Sequence, residues 1–208
     1  MKTNQDLKNA ALEALRGNWA PAVVCTIIYL LLSVGISLLQ PNIDDPTAAL
    51  TGVQKIMMVA YVLLLFLVMV PLGVGYYQAF KVLFTDGDNK LTANCFRLSF
   101  GNYFKNIAAY LLMCLFIFLW TLLLIIPGII KALAYSMTPF ILKDFPELSV
   151  NQAINLSQKM MKGHKFDYFW LGLSFIGWIL LGLLTLGIGY IWLIPYMYTS
   201  YAAFYEEV

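Results

Sequence analysis

Four apolar runs, at residues 19–39, 56–80, 107–126 and 166–186, constrain this chain more than any other feature. Each reaches about the 20 residues a helix needs to cross a hydrocarbon core of roughly 30 Å. Of the 208 residues, 61% are hydrophobic and only 12% are charged, about half the charged share of a soluble domain. The runs therefore read as membrane-spanning helices, and the fold class as an all-α polytopic bundle in one transmembrane domain, 1–208.

The positive charges are unevenly placed. Lys2, Lys8 and Arg16 precede the first run, and the 41–54 loop before Lys55 has no basic residue. Lys81, Lys90, Arg97 and Lys105 fall together, as do Lys143, Lys159, Lys162 and Lys165. Only Lys55 and Lys131 remain for the other face, so eleven of thirteen basic residues share one side. By the positive-inside rule that side is cytoplasmic, with both termini, and the acidic loop containing Asp44 and Asp45 is external. The 21-residue first run, followed by Gln40-Pro41-Asn42 rather than a small-residue cleavage site, reads as a retained anchor. Cys25 and Cys114 fall in apolar runs and Cys95 on the cytoplasmic side. They read as reduced thiols, not a disulfide framework.

Three short segments precede the spans, and each ends in glycine followed by an aromatic residue. The junctions are Gly17-Asn18-Trp19, Gly101-Asn102-Tyr103 and Gly163-His164-Lys165-Phe166. Residues 4–16 place Leu7, Ala10, Ala11, Ala14 and Leu15 on one helical face. Residues 149–162 repeat the design, with Ser149 and Gln152 as a capping box and Gly163 as the stop. The segment 91–100 carries Leu91, Cys95 and Leu98 on one stripe. All three are expected as amphipathic helices at the cytoplasmic interface. The junction glycines are 84 and then 62 residues apart, so true duplication and three unrelated surface helices both stay open.

Each junction opens a hairpin of two spans: about 19–40 with 55–80, 105–126 with 129–144, and 166–185 with 188–205. Pro127-Gly128 marks the second turn and Thr185-Leu186-Gly187-Ile188-Gly189 the third. Six spans in three hairpins follow. The segment 129–144 is short, and reads either as a thin, tilted span or as a re-entrant part of one broken helix. Lys131, one turn past the break, is expected to snorkel to the external interface, because a lysine at the bilayer centre costs roughly 2.5–3.5 kcal/mol.

The C-terminal half carries a family resemblance. It runs through Ile126-Pro127-Gly128-Ile129-Ile130-Lys131-Ala132, Tyr135-Ser136-Met137, Ala153-Ile154, Ser157 and Lys159-Met160-Met161-Lys162-Gly163-His164-Lys165. It continues through Leu173-Ser174-Phe175-Ile176-Gly177-Trp178, Thr185-Leu186-Gly187-Ile188-Gly189, Trp192, Pro195-Tyr196 and Ala203-Phe204-Tyr205-Glu206. This resembles a family of uncharacterised bacterial multispan integral membrane proteins frequent in Gram-positive bacteria. More distantly it is similar to the membrane domain of glycerophosphodiester phosphodiesterases. The resemblance implies a multispan plasma-membrane protein and brings no reaction, cofactor or catalytic residue.

The residues themselves offer no catalytic set. A zinc protease needs paired histidines on a helix, and the one histidine, His164, stands at a junction among lysines. Asp86, Asp88, Asp144, Glu147 and Asp167 lie in or beside cytoplasmic segments, so no intramembrane carboxylate supports proton coupling. Gln78, Ser33, Ser37, Thr121, Ser136, Ser174, Thr199 and Ser200 read mainly as interhelical hydrogen-bonding groups.

Two surfaces stand out. Lys131, Tyr135, Tyr196, Tyr198 and Tyr201 are candidates for a ligand or lipid groove, centred on the last span. Lys159, Lys162, His164 and Lys165 are candidates for a surface that holds anionic headgroups or a partner, at about 1 kcal/mol per cation near the membrane. The expected function is non-enzymatic, without cofactor or nucleic acid, acting through lipids, a membrane-protein partner or a second copy. The alternative is a small transporter or channel lined by the broken spans and the tyrosine-rich last helix.

Overall fold

The computed structural model describes residues 2–42 and 49–208, which form α-helices, one π-helical segment and their connections, with no strand among them. Asp44 and Asp45 lie outside the described residues. Three short helices alternate with pairs of long ones. The first group is α1 (Asn4–Leu15), α2 (Trp19–Ser37), and a continuous helix made of α3 (Gly52–Leu64), a π segment (Leu65–Met69) and α4 (Val70–Asp86). The second is α5 (Leu91–Gly101), α6 (Tyr103–Leu123), and a broken helix, α7 (Ile125–Tyr135) and α8 (Thr138–Asp144). The third is α9 (Val150–Met160), a second broken helix, α10 (Lys165–Leu173) and α11 (Ile176–Leu184), and α12 (Tyr190–Tyr205).

Five of these helical stretches are long and apolar enough to cross a membrane: Trp19–Ser37, Gly52–Asp86, Tyr103–Leu123, Ile125–Asp144 and Lys165–Leu184. The chain is thus a polytopic helical membrane protein. The expected span 55–80 extends to 35 residues, Gly52–Asp86. The sixth, α12, is 16 residues long, about 24 Å at the helical rise.

Two sequence expectations shift. The second hairpin turns at Leu124, whose backbone is extended, and not at Pro127-Gly128. Pro127 fits inside the first turn of α7, where its missing N–H has no helical acceptor to lose. The segment expected at 129–144 is therefore part of a 20-residue stretch. The helix α5 ends on Gly101, which stays helical, and the chain turns at Asn102. Gly17 and Gly163, with φ of 79° and 93°, do take the left-handed region that favours glycine.

The three groups share one packing rule. The short helix that opens a group lies against the last long helix of the group before it: α5 on α4, α9 on α7 and α8, and α1 on α12, which closes the ring. The contact residues occupy equivalent positions. Leu7, Ala11 and Leu15 stand ten, six and two residues before Gly17 and are buried. Leu91, Cys95 and Ser99 hold the same places before Gly101, and Ala153, Ser157 and Met161 before Gly163, all of them buried. The apolar stripes of the short helices are thus covered by protein. Thr3 and Ser149 begin α1 and α9 with capping boxes, each closed by the side chain three residues on.

Close approach depends on small residues. A Cβ on Gly75 of α4 would lie 2.0 Å from the Ser99 hydroxyl and 2.6 Å from the Cys95 carbonyl oxygen. On Gly73, two residues earlier and on the opposite face of the helix, it would meet only the Tyr29 hydroxyl, at 3.7 Å. Gly75→Ala is expected to lower thermal stability by about 1–3 kcal/mol through overpacking, and Gly73→Ala to be neutral or stabilising by up to about 1 kcal/mol. Thermal unfolding of the two variants in one detergent checks the contrast.

Candidate functional site

The third helices of the groups, α4, α7–α8 and α12, converge at their C-terminal ends. Lys81 of α4, 5% exposed, pairs with Asp144 at the end of α8 and, at 3.1 Å, with Glu206 just past α12. The Tyr205 hydroxyl donates to the same Asp144 oxygen at 2.9 Å, and the Lys81 amine lies 5.1 Å from the Tyr205 ring. One turn back, the Gln78 amide donates to the Pro139 carbonyl at 2.9 Å. Aromatic rings continue the contact: Tyr77 meets Phe140 edge-on at 5.7 Å and Tyr198 at 4.4 Å, and Phe140 meets Tyr205 at 5.0 Å.

Beside this junction lies a cavity of about 690 Å³. The π segment and α4 supply one wall with Leu65, Phe66, Met69, Gly73 and Tyr77, and α6 supplies another with Tyr110, Met113, Cys114 and Ile117. Tyr29 of α2, Ala132 and Tyr135 of α7, Ser136, Pro139 of α8 and Tyr198 of α12 also line it. The size suits an organic ligand, and the walls are apolar with a few hydroxyls. Phe66, Tyr110 and Cys114 are exposed, so the cavity opens on the apolar flank between the helices.

The sequence candidates for a groove divide. Tyr135 and Tyr198 line the cavity. Tyr196 instead packs edge-on against Phe175 at 5.2 Å, and Tyr201 packs against Tyr168 at 5.2 Å. Where the last two spans meet, they pack directly: Gly182 lies against the Tyr190 ring, whose hydroxyl donates to the Ile179 carbonyl. Lys131 is half-buried and does not stand alone at a turn. Its amine donates to Gln158 of α9 at 3.1 Å and lies 4.9 Å from the Trp120 ring centre. The reason is that α9 folds back along α8 and α7 and brings Gln158 to it, with Ser157 donating to the Ala134 carbonyl.

The basic candidates stay at the surface. Lys159 and Lys162 are exposed, Lys165 is half-buried, and His164 faces Asp167 at 3.4 Å. On α1, Lys8 is buried: its amine donates to the Ser174 carbonyl at the α10–α11 break and sits 4.3 Å from the Phe175 ring. That burial holds its pKa below the ordinary lysine value. Among the described residues, no group of three histidine, cysteine or acidic side chains is placed to hold a metal.

Sequence reasoning missed Tyr29, Tyr77 and Tyr110. Tyr29 carried a signal of position, since it sits in the middle of an apolar run; Tyr77 and Tyr110 lie near the ends of theirs, where they read as ordinary interfacial aromatics.

This chain belongs to a family described as a protein of unknown function, DUF975. The family model matches residues 1–133 and 121–208. No curated protein and no solved structure matches the chain. The family assignment carries no activity, so the cavity and its charged neighbours are the material from which a function is read.

Two hydroxyls distinguish core from cavity. Tyr76 is 1% exposed, and its hydroxyl is paired with Thr26 at 2.6 Å. Thr26→Val strands that hydroxyl and is expected to lower stability by about 1–3 kcal/mol. Tyr29→Phe, which removes a hydroxyl facing the cavity, is expected to change it by less than about 0.5 kcal/mol. Thermal unfolding in detergent measures both.

Proposed function

We propose that this chain is a non-enzymatic membrane protein of a bacterial plasma membrane that takes a lipid or similar amphiphile into the tyrosine-lined cavity. The observation that carries the reading is the lateral opening: a cavity of about 690 Å³ whose mouth residues Phe66, Tyr110 and Cys114 lie within the apolar helices. A ligand entering there comes from the bilayer, not from water. Apolar walls suit a hydrocarbon chain, and the tyrosine hydroxyls suit a polar linkage region.

The bacterial plasma membrane and cytoplasmic termini are supported by the resemblance and by the grouping of the basic residues other than Lys55 and Lys131, the latter reaching Gln158 of α9 rather than the opposite face. On that orientation, Lys159, Lys162, His164 and Lys165 lie on the cytoplasmic side and attract anionic headgroups or a membrane-protein partner, including a second copy. A transporter is the second reading. It is favoured by the π segment and by the Ser136–Met137 break, because Leu65, Phe66, Met69 and Ser136 all line the cavity. Irregular helix at a cavity wall is where a spanning helix changes shape most readily. Solute flux in proteoliposomes would favour this second reading.

Ala132 is exposed at the cavity wall, so Ala132→Trp fills the space without entering the core. Protein extracted from membranes and weighed intact by native mass spectrometry is expected to carry bound lipid. The variant is expected to carry about tenfold less at an unchanged unfolding temperature, because steric exclusion from a preformed site removes about 1.4 kcal/mol of binding. Equal occupancy of the two proteins would contradict the reading.

A further inference from the structure

Lys131 is the one lysine of α7, and its surroundings leave the charge unanswered. The amine has one hydrogen-bond acceptor, Gln158, whose own amide nitrogen is turned to Asn155 at 3.3 Å. Trp120 at 4.9 Å and Tyr135 at 5.9 Å present aromatic rings to it. Among the described residues no carboxylate lies within ion-pair distance of it, whereas Lys81, Lys143 and Lys2 all have one. An ammonium has three N–H donors, so two remain for a ligand or water. The same helix turn forms the cavity wall: Ala132 and Tyr135 both line it. Tyr135 therefore belongs to both places, facing the amine and bounding the cavity.

We propose that Lys131 binds the phosphate of an anionic membrane phospholipid whose acyl chain lies in the cavity, an assignment that rests on the cavity reading above. The phosphate oxygens accept hydrogen bonds from the Lys131 amine beside the Gln158 amide, at the notch where α6, α7 and α9 meet. The indole of Trp120 covers the headgroup region, as aromatic rings do at a membrane interface. From there a chain passes the Tyr135 ring into the apolar space between α4 and α6. The site thus selects lipid by charge at Lys131 and accepts the hydrocarbon without selection. A zwitterionic lipid brings a choline or ethanolamine cation against the lysine and gains less from the same phosphate.

The test uses the full chain in vesicles of equal parts dioleoyl phosphatidylglycerol and dioleoyl phosphatidylcholine, followed by extraction and quantification of bound lipid. Wild type is expected to retain phosphatidylglycerol about fivefold over phosphatidylcholine, the ratio for one cation near a membrane surface. Lys131→Gln is expected to abolish that preference with total bound lipid little changed, and Lys131→Arg to keep it. Lys90→Gln, which removes an exposed lysine outside both the cavity and the α9 basic surface, keeps it too, which separates this site from the loss of any one surface cation. A wild type without preference, or a Lys131→Gln variant that retains it, overturns the assignment. In either case lipid loss in Ala132→Trp still upholds the cavity reading. Bound lipid insensitive to Ala132→Trp overturns the cavity reading and this assignment with it. Displacement by excess glycerol 3-phosphate identifies a soluble phosphate ligand and overturns the lipid assignment.

Discussion

A buried cation shared by three helices organises this molecule. Lys81 is 5% exposed and stands between Asp144 and Glu206, which belong to different parts of the chain. A lysine removed from water without a partner is costly, and at Lys81 two carboxylates offset that cost. Here they come at the ends of α8 and α12, so the pairing draws three C-terminal helix ends together. Tyr205 adds a hydrogen bond to Asp144, and Gln78 ties α4 to the Pro139 carbonyl. The cavity beside this junction inherits its shape: Tyr77, Pro139 and Tyr198 stand on the three converging helices and form part of its wall.

The rest of the molecule is arranged around that post in three similar groups. Each short helix lies on the third helix of the preceding group, and α1 on α12 makes the sequence circular. Small residues let the backbones approach, as Gly75 does for α5 and Gly128 for the α6–α7 hairpin, where a Cβ would lie 2.1 Å from the Thr121 hydroxyl. Proline marks each third helix. Pro71 and Pro139 are the second residues of α4 and α8, directly after the π segment and the Ser136–Met137 break, and Pro195 lies inside α12. The unequal spacing of the junction glycines comes mainly from the long α3–α4 helix and the loop before it, not from the short helices, whose buried positions keep one register.

What the sequence made legible follows from which properties belong to single residues and short windows. Hydropathy located the membrane helices, and the Ser149–Gln152 capping box located the start of α9. Partner choice was not legible, because it depends on which faces meet across long sequence separations. Lys131 looked like a lone snorkelling cation only because nothing local indicates that α9 returns to it. The last two spans pack directly, Tyr190 against Gly182, a contact set by a missing side chain rather than by hydrophobicity. Tyr135 and Tyr198 line the cavity. Tyr196 and Tyr201, alike in composition and neighbours, turn instead into the core, a difference of helical phase that only the surrounding helices decide.

A double-mutant cycle on Lys81 and Asp144, with Lys81→Met and Asp144→Asn alone and together, tests the organising role of the ion pair most directly. If the pair joins the helices as described, thermal unfolding gives a coupling of at least about 1.5 kcal/mol, the double variant being less destabilised than the two single effects combined. Additivity within about 0.5 kcal/mol would contradict the account, because helix ends held together without that pair would have to be fastened elsewhere.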